Sequence, residues 1–153
     1  MVSPAEMTLH VKRFCELTAD ELYDILALRV SVFVVEQQCP YPELDGLDKT
    51  ALHVYLRDEN GIQAYLRVMD RQEGREYVSI GRVLSVRRRE GLATWLLQEG
   101  IRLAQSAFHA EAIYLEAQVY AKSLYEKQGF RQISDEFLED SIPHVKMLLK
   151  CGK

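Results

Sequence analysis

The chain has 153 residues, 48% hydrophobic, 27% charged and 9% aromatic, a balance that excludes a disordered or fibrous polymer and fits one globular domain. A net charge of -4, from 19 Lys and Arg against 23 Asp and Glu, argues against general nucleic-acid binding. Three distant cysteines without a CxxC pair, no basic-then-apolar leader and no run of 18 apolar residues argue against a disulfide framework, a zinc site, a signal peptide or a membrane span, and a cytoplasmic protein is expected.

Residues 8–14 alternate weakly and predict a first strand. Thr18-Ala-Asp-Glu21 has the form of a capping box, and Leu22, Ile25, Leu26, Val30 and Phe33 follow at helical spacing, which predicts a helix over 19–35. Pro40 and Pro42 then open a loop to about Lys49. Residues 51–58 and 62–70 read as strands around the turn Glu59-Asn60-Gly61, and a further strand is expected over 77–86. Gly81 inside it marks a bulge or a close contact.

From Gly91 to Phe108 the apolar positions fall on one helical face, with Trp95 among the packing residues. A strand over 112–118, a short helix over 121–128 stopped by Gly129, and strands over 130–139 and 143–150 complete the chain. The resulting order, βαβββαβαββ, predicts a single α/β (α+β) domain over 1–153: a mixed sheet flanked by helices.

Val83-Leu84-Ser85-Val86-Arg87-Arg88-Arg89-Glu90-Gly91-Leu92-Ala93-Thr94 carries the first chemical signal. A strand ends, arginines follow, and a glycine opens a helix. Unpaired N–H groups at that helix start, with the helix dipole behind them, suit a pyrophosphate. Spacing alone leaves a solvated arginine face equally open. Neither a GxxxxGK[ST] nor a GxGxxG pattern is present.

The second signal is Ala117-Gln-Val-Tyr-Ala121-Lys-Ser-Leu-Tyr125-Glu-Lys-Gln-Gly129-Phe130. With Arg88-x-x-Gly91-x-Ala93 upstream, it resembles the GNAT superfamily of N-acetyltransferases over nearly the whole chain. Phe33-Val-Val-Glu-Gln-x-Cys-Pro-Tyr41, Glu43-x-Asp45, His53 and Ile142-Pro-His144 narrow the resemblance to its ElaA-like branch. The resemblance implies acetyl-CoA as co-substrate, its pyrophosphate on Arg87 to Thr94, its thioester near backbone N–H groups of Leu84 to Val86, and its pantetheine beside Gln118, Ser123 and Tyr125. Two positions depart from the family pattern. Arg89 replaces a common first glycine, so the loop geometry rests on Gly91, and Gln118 replaces a common Asn.

Acetyl transfer needs a polarised thioester carbonyl, a neutral amine and a proton for the departing thiolate. Tyr125 is the candidate proton donor, set against a plain core tyrosine. Glu36, His53 and His144 are candidate bases. Arg29 and Glu36, seven apart on one helical stripe, are either substrate contacts or a structural ion pair. Glu36, Asp45 and Glu116 are candidate holders of an ammonium. No spacing supports a metal site.

The expected reaction is acetylation of a primary amine on a small molecule or peptide, by direct attack in a ternary complex. Two alternatives stand beside it: a non-catalytic CoA-binding module, and an acyl-homoserine-lactone-synthase-like acyltransferase, which Arg29-Val-Ser-Val-Phe33 resembles. No nucleic-acid or membrane partner is expected. Relatives often pair exposed edge strands, which leaves a homodimer open beside a monomer.

Overall fold

A computed structural model describes residues 7–87 and 91–152. The strands are β1 (Thr8–Arg13), β2 (Leu52–Asp58), β3 (Gly61–Met69), β4 (Val78–Ser85), β5 (Ala112–Gln118), β6 (Arg131–Gln132), β7 (Phe137–Glu139) and β8 (Ile142–Lys150). The helices are α1 (Ala19–Arg29), α2 (Leu92–Phe108) and α3 (Lys122–Glu126). The strands form one mixed sheet in the order β1-β2-β3-β4-β5-β8-β6, with β7 also paired to β8.

Helix α1 starts where its capping box requires. Thr18 Oγ1 accepts the Glu21 N–H at 3.1 Å, and Glu21 Oε1 accepts the Thr18 N–H at 2.8 Å. The single helix expected over 19–35 is divided: Val30–Glu36 continues as a π-helix. Its four valines crowd an α-helical backbone at χ1, and the wider i→i+5 turn changes the angle between successive side chains. Arg29 and Glu36 therefore do not share a stripe. Arg29 is fully buried and Glu36 is exposed.

Each face of the sheet carries a helix because β2 and β3 are buried on both sides. On one face Leu52, Val54, Leu66, Val68, Val78 and Ile80 pack against Leu92, Leu96, Leu97 and Ala104 of α2. Gly100 lets α2 come close, since a Cβ there would lie 3.1 Å from both Leu66 δ-carbons. On the other face Ile25 of α1 meets Tyr55, Tyr65 and Leu84.

Leu84 reaches that second face through a bulge. The β3–β4 register shifts between Tyr65 and Arg67, and Arg82 adopts φ 54°. One extra residue reverses the strand's alternation, so Val78 and Ile80 face α2 while Leu84 faces α1. The bulge falls next to Gly81, the position where the sequence signalled one.

Strands β4 and β5 are parallel neighbours only at Val78↔Ile113 and Ser79↔Tyr114. Beyond that point they part, and a wedge opens between their C-terminal ends. The strand expected over 130–139 is interrupted at 133–136. There Ser134 Oγ accepts the Lys146 N–H at 2.9 Å, and Gln132 Nε2 donates to the Ser134 carbonyl at 2.7 Å. These local bonds replace ladder bonds and make eight strands of the expected seven. Asp140 and Ser141, at φ 52° and 67°, form the two-residue turn that folds β7 onto β8.

Candidate active site

The wedge leads into a cavity of about 480 Å³, bordered by the end of the π-helix, the loop over 39–47, β3, β4, β5, the start of α3 and the β7–β8 turn. Asp45, Glu116, Gln118, Tyr125 and His144 all border it. Five candidate residues from four separate segments thus meet at one place.

Tyr125 is held by the end of its helix. Gly129, at φ 101°, donates to the Glu126 carbonyl, and Phe130 donates to the Tyr125 carbonyl at 3.1 Å, which closes the helix in a Schellman turn. Phe130 then packs edge-on to the Tyr125 ring, centroids 6.0 Å apart. Tyr125 is 8% exposed, and its hydroxyl has no hydrogen-bond partner among the described residues. Burial, reinforced by Tyr120, pushes its pKa up, so the phenol keeps its proton.

His144 lies opposite Gln118 in the β5–β8 register and stacks on Phe137. Its Nδ1 donates to the Ile142 carbonyl at 2.7 Å, which leaves Nε2 as the acceptor. Gln118 exchanges two amide hydrogen bonds of 3.2 Å with Gln37, tying β5 to the end of the π-helix.

His53 is different. It is fully buried, with Nδ1 2.7 Å from the Tyr65 hydroxyl and Nε2 3.0 Å from the Asp48 carbonyl. Burial pulls its pKa down, and it does not border the cavity. Both ring nitrogens are engaged, so the candidate base at His53 is corrected to a structural residue. Glu36 sits on the exposed side of the π-helix and is not among the residues that border the cavity.

Arg29 is also structural. Its Nε donates to Glu43 Oε2 at 2.7 Å and its Nη1 to Asp48 Oδ1 at 2.6 Å. Arg67 joins Asp48 at 2.9 Å and Asp45 at 2.5 Å, and Arg82 joins Glu43 at 2.7 Å. Three guanidiniums and three carboxylates thus neutralise one another beneath one wall. Burial alone would raise the Asp45 carboxyl, but Arg67, the Leu47 N–H and Arg82 outweigh it and hold it at about 2. Asp45 borders the cavity as an anion already paired, which removes it as a free ammonium holder.

Arg67 and Arg82 escaped sequence reasoning, although a lone Arg in each of two apolar strands was a usable signal. Glu139 and Tyr114 gave no signal. Their place depends on how the β7–β8 turn curls over β5.

At the other end of the wedge, α2 begins at Gly91, φ 78°, with no side-chain cap. The N–H groups of Leu92, Ala93 and Thr94 therefore point out of the first turn without helical acceptors, an arrangement that fits a pyrophosphate. The Leu92 side chain is core, so only its backbone is offered. Arg87 pairs with Asp58 and Gln63 of the β2–β3 hairpin. Arg88, Arg89 and Glu90 lie outside the described residues. Ser123 is exposed on α3.

The Val86 N–H is spent on the Gln63 carbonyl at 2.8 Å. Strand alternation then turns the Ser85 N–H, one residue back, toward the wedge. Among the described residues no three His, Cys, Asp or Glu side chains converge as metal ligands, and no helix is long and apolar enough to cross a membrane.

A strand pair that splays beside an uncapped helix start defines the acyl-CoA N-acyltransferase class, and the family model for the acetyltransferase (GNAT) domain matches residues 20–151. The chain belongs to the GNAT superfamily, as an ElaA-like member. It is 34% identical to protein ElaA of Escherichia coli over 136 residues, 86% of this chain and 89% of that protein. The crystal structure of ElaA superposes with TM-score 0.88 at 30% identity, covering 94% of this chain and 99% of that one. An acyl-CoA N-acyltransferase from Pseudomonas aeruginosa superposes with TM-score 0.87 at 37% identity, covering 93% and 99%. The acyl-homoserine lactone synthase LasI shares the fold alone, with TM-score 0.72 and 14% identity over 94% of this chain and 89% of that one.

Proposed function

We propose that the protein transfers an acetyl group from acetyl-CoA to a primary amine of a small molecule or peptide, by direct attack in a ternary complex. The observation that carries this reading is the convergence of Tyr125, His144 and β4 residues up to Val83 on one cavity, with the uncapped α2 N-terminus next after β4 in the chain. In this reading Leu92 to Thr94 hold the pyrophosphate through backbone N–H groups, and the backbone at the C-terminal end of β4, over Leu84 to Val86, polarises the thioester carbonyl.

His144 Nε2 takes a proton from the attacking amine, whose nitrogen bonds to the carbonyl carbon. The C–S bond breaks, and Tyr125 gives its phenolic proton to the thiolate sulfur. The proton on His144 then restores the phenol, directly or through water, so the products are an amide and free CoA. Burial makes Tyr125 a weaker acid, but the same burial raises the proton affinity of the thiolate beside it.

Tyr125→Phe tests the reading against a non-catalytic CoA-binding module. Loss of a positioned acid should lower kcat about 100-fold or more, while Kd for acetyl-CoA stays within about twofold. Unchanged kcat removes Tyr125 from the chemistry. Tight acetyl-CoA binding with no product from any amine favours the binding module.

A further inference from the structure

The charges around the cavity fall into two sets. One wall is self-neutralised, with Arg29, Arg67 and Arg82 paired to Glu43, Asp45 and Asp48. The facing wall, from β5 and the β7–β8 turn, carries Glu116, Glu139 and Asp140. Arg75 borders that wall and makes no ion pair among the described residues.

Glu116 and Glu139 come from different strands yet border the same cavity, near enough for Glu116 to act on the Glu139 carboxyl. Glu116 Oε2 also accepts the Tyr114 hydroxyl at 2.7 Å. Burial first, then Glu116, pushes the Glu139 pKa above the usual carboxylate range. Asp140 acts in the same direction and His144 opposes it. Tyr114 lies in the field of Glu116, Glu139 and Arg75.

Independent of these acids, Tyr125 and His144, each 8% exposed, border the same cavity. The Tyr125 hydroxyl has no partner among the described residues, and His144 Nε2 is not engaged. One end of the cavity therefore offers a proton donor and an acceptor, and the other an anionic pair. An ammonium has three N–H donors. The Glu116 carboxylate, the Glu139 carboxylate and the Tyr114 oxygen supply three acceptors.

We propose that the acceptor is a diamine: one amino group, neutral, attacks beside Tyr125 and His144, while the other, as an ammonium, bridges Glu116 and Glu139. This rests on the transferase reading above and names its substrate class. In the complex the two carboxylates flank one ammonium, and the Tyr114 oxygen takes its third N–H.

The test is calorimetric titration of the full chain, with and without CoA, using 1,4-diaminobutane, n-butylamine and 4-aminobutyrate. The three differ only in whether the far end is cationic, neutral or anionic. At pH 7.5 the diamine should bind at least about tenfold more tightly than butylamine, with 4-aminobutyrate weakest. Glu139→Gln, at an exposed position on the hairpin, should keep its melting midpoint and bring the diamine-to-butylamine ratio close to one. Glu116→Gln should do the same.

As the pH falls toward the ordinary carboxylate range both amines stay charged while Glu139, with its raised pKa, takes its proton before an ordinary glutamate would, so diamine affinity should fall, and this fall should vanish in Glu139→Gln. A ratio unchanged in both variants overturns the proposal, as does tightest binding of 4-aminobutyrate, which would give the far end to Arg75. Selective diamine binding without acetylated product would leave this cation site standing and remove the transferase reading. Equal kcat/KM for all three amines would do the reverse.

Discussion

Arg29→Met tests whether the buried charges hold the fold as argued. Arg29 has no exposed surface, and its guanidinium reaches Glu43 at 2.7 Å, Asp48 at 2.6 Å and the Glu43 carbonyl at 3.4 Å, with Tyr65 beneath it at 5.8 Å. Methionine keeps the length and apolar contact but leaves three carboxylates facing two guanidiniums. Removing one partner of a buried pair costs about 3–5 kcal/mol. Glu43 retains Arg82 at 2.7 Å and the Tyr41 hydroxyl at 2.6 Å, and Asp48 retains Arg67 at 2.9 Å, so the loss belongs at the low end. About 3 kcal/mol corresponds to a fall in Tm of roughly 6–12 °C for a chain of this size.

The pH dependence fixes the cause. Burial would raise the Asp48 carboxyl, but hydrogen bonding to Arg29, and then charge, hold it below the ordinary value. A carboxyl depressed in the folded state adds stability above its unfolded pKa and loses it as pH falls through the folded one. Without Arg29 that contribution shrinks, so wild type and variant should differ most near neutrality, and the gap should narrow only below the ordinary Asp value, as the pH falls through the depressed folded pKa. Calorimetric melts from pH 8 to about 2 measure both. A Tm within 3 °C of wild type, or a gap that does not narrow in acid, refutes the reasoning.

Two further substitutions probe the positions that set the frame of the site. Gly100→Val should destabilise by about 2 kcal/mol, because even a Cβ would meet the Leu66 methyls at 3.1 Å; chemical denaturation should show a lower midpoint at constant m. Gly91→Val forces a β-branched residue to φ 78°, at about 1–2 kcal/mol or more, and disturbs the N–H groups at the start of α2. CoA at about 100 times its Kd should raise the wild-type midpoint by roughly 5–10 °C. The variant should lose at least half of that shift, and an equal shift would separate Gly91 from CoA binding.

The local signals in the sequence were reliable where a few neighbouring residues decide the structure. Thr18 and Glu21 close their own capping box, Gly129 supplies the left-handed residue that ends α3, and residues 112–118 form β5. The pattern of apolar positions also gave the order of elements and the face of α2 that is buried. The grouping of Gln118, Tyr125 and His144 was legible through motif resemblance, each near the end of a recognisable element.

What only the tertiary structure decided lies where one residue changes direction or where charges from distant segments meet. The π-helix at Val30–Glu36 took Glu36 off the stripe of Arg29 and left it exposed, a rare turn that α-helical spacing in a sequence does not anticipate. His53 and His144 are both strand histidines, yet His53 is enclosed beside Tyr65 and Asp48 while His144 borders the cavity. Strand alternation specifies two faces but not what will cover each. The bulge at Arg82 reversed one of those faces within a single strand. Glu116 and Glu139 are 23 positions apart in sequence and meet because the two-residue turn at Asp140 and Ser141 folds β7 across β8. Short-range sterics and hydrogen bonds are written into neighbouring residues, whereas the pairing of buried charges depends on which segments the closed fold brings within a few ångströms.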